Sequence, residues 1–149
     1  RRDANAKLLR YRRRKLGRAR RRMERRETKK NFWSIPGDTM RLIISRLEIL
    51  YSQKEHFGFV PTEDRCNILR GLADEETGVV IISRERDKTQ RQETLDWLEM
   101  NDIPCDRLLT KEDDFRTDSE IWFTMESDEE NVKFWREEGH TCLQVDNGI

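Results

Sequence analysis

The chain has 149 residues, of which 34% are hydrophobic and 40% charged, and its 30 basic and 30 acidic side chains cancel to a net charge of zero. That length holds one domain; no apolar run approaches the roughly 18 residues of a membrane-spanning helix, and no stretch reads as a signal-peptide core. Cys66, Cys105 and Cys142 are isolated and odd in number, which argues against a disulfide framework or a zinc site and for a reducing, intracellular setting.

The zero net charge hides two opposite parts. Residues 1–30 carry sixteen Lys or Arg against three acids, a net +13, while the other 119 residues carry 14 basic and 27 acidic side chains, a net −13. The expected division is therefore an Arg-rich arm over 1–31 and an acidic domain over 32–149. Such an arm calls for a polyanionic partner, with nucleic acid ahead of an anionic membrane. Arg10, Arg12, Arg13, Arg14, Lys15, Arg18, Arg20, Arg21, Arg22, Arg25 and Arg26 are its candidate phosphate contacts. Arg rather than Lys dominates, which suits bidentate phosphate binding and stacking. Leu9, Leu16 and Met23 recur every seven residues and put a thin apolar stripe on the arm. A basic start also fits organelle import, although Ser is scarce, and an opening Arg fits a trimmed form of a longer protein.

After the arm, Phe32, Trp33 and Ile35 lead into a Pro36-Gly37 turn. Asp38 or Thr39 then caps an expected helix, with Met40, Ile43, Ile44, Leu47, Leu50 and Tyr51 at helical spacing out to about Glu55. A second helix is expected over Pro61–Glu76. Val79, Val80, Ile81 and Ile82, bounded by Gly78 and Ser83, predict a strand buried on both faces and central to the core. Thr89–Asn101 predicts a helix, Ile103–Leu109 a strand, 111–119 an acidic loop, Ile121–Met125 a strand, Asp128–Glu138 a helix closed by Gly139, and Thr141–Val145 a last strand. Strands alternating with helices predict an α/β fold: a small, mostly parallel sheet with flanking helices.

From Val79 to Val145 this order resembles the haloacid-dehalogenase-like fold, and more narrowly the 3′-phosphatase half of phage-type polynucleotide kinases. The residues that carry the resemblance are Val79-Val-Ile-Ile-Ser83-Arg84, Thr94-Leu-Asp-Trp97-Leu98 with Ile103-Pro104, Asp114-Phe-Arg116-Thr-Asp118, and Asn131 to Trp135 with Gly139 to Val145. The resemblance implies that Ser83, with Arg84, is a phosphate contact and that 114–118 is a substrate loop. It also implies an Asp-x-Asp pair after a first strand, which attacks phosphorus and helps hold Mg²⁺. No such pair exists here: an alignment puts Ser45 and Leu47 at the two positions, the later acidic pair falls at Glu126-Ser127-Asp128, and the phosphate-binding Lys is missing.

The acids from Glu126 to Glu130 read as compensation of a helix dipole rather than a metal site, and His56 and His140 lack triad partners. The expectation is a non-catalytic pseudoenzyme without a metal or other cofactor, tied by its arm to RNA or packaged DNA, with protein neighbours in a large nucleoprotein assembly such as a ribosome or virion. The alternatives are an active 3′-phosphatase or phosphotransferase using Mg²⁺, and an interaction module whose arm binds an acidic protein or its own body.

Overall fold

The computed structural model describes residues 41–56 and 58–146. The arm, its eleven candidate phosphate contacts, the junction up to Gly37 and the expected helix start at Asp38 to Met40 lie outside the described residues.

The first strand, β1 (Arg41–Arg46), runs straight into a single 3-10 turn (Leu47–Ile49). A hairpin follows, β2 (Tyr51–Lys54) and β3 (Gly58–Pro61), then α1 (Glu63–Leu72), β4 (Thr77–Ile82), α2 (Arg91–Met100), β5 (Arg107–Leu109), β6 (Glu120–Glu126), α3 (Glu129–Glu137) and β7 (Cys142–Gln144). Five strands form one sheet in the order β5-β4-β1-β6-β7, and every pairing in it is parallel. The α/β expectation with a parallel sheet and flanking helices is met.

One element differs. In place of the helix expected out to about Glu55, Arg41–Leu50 is the central strand and the turn that leaves it, and Tyr51–Lys54 is the hairpin strand β2. Leu42, Ile43 and Ile44 are buried on both sides of the sheet, so the strand is apolar throughout and shows no alternation. Leu47, Ile49 and Leu50 in the turn are buried as well, and they extend the run with a local helical spacing. The strand Val79–Ile82 accordingly flanks the centre rather than occupying it.

Alternation along the strands separates two cores. Ile43, Val79, Ile81, Leu108 and Met125 face α1 and α2, packing with Cys66, Leu69 and Leu98. Leu42, Ile44, Val80 and Leu109 face the other way, toward Phe115 and Trp135. Trp122 sits where the β1–β6 register shifts by one residue, and the Arg41 guanidinium lies 3.6 Å from its ring centre. All three cysteines are buried and outside any disulfide; burial pushes the Cys66 thiol up to about 11. Among the described residues, no helix is long and apolar enough to cross a membrane.

Candidate functional site

Parallel strands bring their carboxyl ends to one edge, where loops leave the sheet and ligands are usually bound. Here that edge carries Arg46 at the end of β1, Ser83 just past β4, Thr110 just past β5 and Glu126 at the end of β6.

Arg46 and Glu126 form a buried ion pair. Nη2 donates to Glu126 Oε1 at 2.5 Å and Nε donates to Oε2 at 3.3 Å, with side chains only 9% and 4% exposed. The fork of a guanidinium suits such a two-point grip on a carboxylate. Its remaining Nη1 is buried with no hydrogen-bond partner. The second polar pair is Ser83 and Glu48. Ser83 Oγ donates to Glu48 Oε2 at 3.0 Å and accepts from Arg86 N at 3.0 Å. Burial raises the Glu48 carboxyl above its ordinary range, partly offset by the bond from Ser83.

The two residues at the expected Asp-x-Asp positions lie inside the sheet and the core. Ser45 is fully buried, with its hydroxyl bonded to the Arg46 carbonyl, and Leu47 belongs to the core. The residues two apart that reach the neighbouring strand ends are Arg46 and Glu48, not Ser45 and Leu47. A guanidinium thus stands at the end of β1, and it clasps the carboxylate at the end of β6. This donor set does not fit Mg²⁺, which takes several oxygen ligands: a cation is already held there by the protein itself. Among the described residues no group of three or more His, Cys, Asp or Glu is placed to hold a metal ion.

Ser83 and Arg84 also open onto a larger feature, a cleft of about 890 Å³ bounded by the 110–120 loop and α3. The expected substrate loop lines it through Asp114, Phe115, Arg116 and Thr117, so the structure gathers Ser83, Arg84 and that loop into one place. Asp118 is not among the lining residues. Sequence reasoning missed the opposite wall, Phe134, Trp135 and His140. Phe134 is 53% exposed, and the Trp135 ring stands edge-on to both Phe134 and His140 at 5.5 and 5.7 Å. The available signal was the Phe134-Trp135 pair itself, because two adjacent aromatics on a helix cannot both point into the core.

The loop wall is held rigidly. Arg91 on α2 donates to the Leu108 carbonyl at 2.6 Å and pairs with Asp113 at 2.5 Å. Asp113 in turn accepts from Thr110 N and Oγ1 at 2.8 and 3.0 Å. The Arg86 carbonyl accepts from Lys111 N at 2.9 Å, tying the Ser83 loop to the same wall. With Asp113 engaged, the cleft presents Arg84, Lys111 and Arg116 against Asp114, Glu120 and Glu138, so its charge is balanced. Cationic side chains beside flat aromatic ones suit a nucleotide, with a base stacked and a phosphate held.

No family model and no curated protein matches this chain. Solved structures do. A chain of the Pnkp1/Rnl/Hen1 complex is 19% identical, with a TM-score of 0.62 over 83% of this chain and 52% of that one. A chain of the Pnkp1/Rnl/Hen1 RNA repair complex is 18% identical, with a TM-score of 0.59 over 74% of this chain and 44% of that one. At this identity the likeness is one of fold, and this chain spans about half the length of the chains it matches. The likeness is to an α/β architecture built on a mostly parallel sheet.

Proposed function

We propose that this protein binds single-stranded nucleic acid, RNA in particular, without catalysing its hydrolysis. The observation that carries the non-catalytic half is the buried Arg46–Glu126 pair. A guanidinium cannot attack phosphorus, and it removes from use the carboxylate nearest to it. The likeness to chains of an RNA repair complex favours RNA over packaged DNA, and a protein assembly around the chain. Phage-type polynucleotide kinases remain the resemblance, with the catalytic positions replaced.

The work divides between arm and cleft. The +13 arm supplies most of the affinity through phosphate contacts and counterion release. The charge-balanced cleft adds little of that term. Its contribution is discrimination: Phe134 and Trp135 offer faces to an unpaired base, which a duplex keeps stacked inside. Arg84, Lys111 and Arg116 reach the adjoining phosphate, and the Ser83 loop holds Arg84 at that end.

Filter binding of a single-stranded and a duplex RNA, with a phosphatase assay alongside, tests this reading. Phe134→Ala should weaken single-strand binding by roughly 1–3 kcal/mol, the worth of one stacked base, and leave duplex binding unchanged. A 3′-phosphorylated oligonucleotide should survive incubation with Mg²⁺. Turnover that Ser83→Ala abolishes would establish the phosphatase reading instead.

A further inference from the structure

A second concavity, on the far side of the sheet from the cleft, has no part in that function. It is a groove of about 460 Å³ between the β2–β3 hairpin and α2. Its walls are Tyr51, Phe59, Trp97 and Met100, with Glu93 and Asp96 on the rim. Tyr51 stands edge-on to Phe59 at 4.7 Å and to Trp97 at 5.7 Å. Trp97 Nε1 donates to the Phe59 carbonyl at 3.3 Å, pinning α2 to the hairpin. The cation in its lining, Arg86, is engaged at home: the guanidinium lies 4.9 Å from the Phe59 ring centre and beside the Tyr51 phenol. Met100 is 78% exposed and Phe59 37%, so the groove opens its apolar wall to solvent.

An aromatic groove with a carboxylate rim and its own cation already satisfied fits an incoming guanidinium on an apolar stem. The rings take the cation's face, the acids take its N–H groups, and the groove takes the aliphatic carbons. The chain carries such a ligand. Residues 10–26 place Leu16 and Met23 among ten arginines, on an arm that carries +13 against the −13 of everything else. Reach is sufficient. Fourteen residues separate Arg26 from Arg41, about 50 Å when extended, whereas the six residues of β1 that lead from Arg41 toward Leu47 on the groove floor span about 20 Å.

We propose that the groove docks the arm of its own chain, residues 10–26, and that nucleic acid displaces it. Tethering places the arm near the groove at an effective concentration on the order of millimolar, so individually weak contacts suffice to hold it. The same arginines serve phosphate when a polyanion is present and the acidic rim when it is not. Weak polyanions then fail to release the arm, and the non-specific binding natural to a +13 segment is held down. The competing ligand is taken from the function proposed above; the docking itself does not depend on it.

The test is photo-crosslinking in the full chain, with p-benzoylphenylalanine in place of the exposed Met100. The expected product is a monomer crosslinked to peptides from residues 10–26, abolished on adding a single-stranded oligoribonucleotide or heparin. Glu93→Lys with Asp96→Lys should weaken the crosslink. It should also tighten oligoribonucleotide binding by a factor of roughly 5 or more, the lower end of ordinary coupling between two ligands. A crosslinked dimer would assign the groove to a second copy and overturn docking within one chain. Crosslinks that miss the arm, or that persist under saturating heparin, overturn the proposal outright. Crosslinks that heparin releases in a chain that binds no oligoribonucleotide would uphold docking and reject the nucleic-acid function.

Discussion

Arg46 decides more about this molecule than any other single described residue. A buried ion pair is costly to form and more costly to break, because removing one partner strands the other charge away from water. Arg46→Ala should therefore lower unfolding stability by about 3–5 kcal/mol, as should Glu126→Ala. Replacing both by apolar residues of similar size, Arg46→Met with Glu126→Leu, should recover most of that loss. Urea unfolding of the three variants measures it; single-site losses under about 1 kcal/mol, the range of exposed pairs, would mean the pair is wet. Glu48 gives a pH signature. Its carboxyl is raised by burial in the folded chain, so the folded state holds a proton that the unfolded state has released. Stability from this group is then greatest below the ordinary carboxylate range and falls as pH rises through the raised value. Glu48→Gln keeps an acceptor for Ser83 and removes the titration, so the mildly acidic slope of stability against pH should flatten. An unchanged slope would show that the carboxyl is solvated.

Among the elements, β1 and β4 should be the last to open. Val79, Val80 and Ile81 are fully buried and Ile43 is too, each strand being paired on both sides. Ile81→Ala should cost about 2–5 kcal/mol, the range for emptying a packed site, and Ile43→Ala a similar amount. Amide hydrogen exchange should be slowest in 42–45 and 79–82; exchange there as fast as in the 111–119 loop would contradict the doubly covered sheet. The β4 strand was legible because Gly78 and Ser83 bracket four β-branched residues. The β1 strand was not, because its run continues without a break into buried turn residues, and Ile43, Ile44, Leu47 and Leu50 satisfy helical spacing by coincidence of strand and turn. That misreading hid the site as well. Only when Arg41–Arg46 is a strand does Arg46 fall at the carboxyl edge of the sheet beside Ser83, whereas Ser83 and the 114–117 loop could be placed from their own short motifs. The Arg46–Glu126 contact spans 80 positions, beyond what local periodicity can report.

At the scale of the whole molecule, a cationic N-terminal stretch precedes an acidic remainder whose two concavities differ in charge: a balanced, aromatic-walled cleft at the carboxyl edge of the sheet and an acid-rimmed groove beside α2. If the arm grips a polyanion as proposed, the opposite net charge of the domain would keep it from lying flat on that ligand. The measurement that bears most directly on arm-driven RNA binding is the salt dependence of single-stranded RNA binding by the full chain. It is compared with a chain carrying Arg→Gln at Arg12, Arg13, Arg14, Arg20, Arg21 and Arg22. A steep fall in affinity with salt is expected for the native chain. In the variant, the slope of log K against log salt should shrink by roughly 0.7 for each phosphate interaction removed, while the melting behaviour of the domain is unchanged. Equal slopes and equal affinities in the two chains would contradict a binding mode driven by the arm.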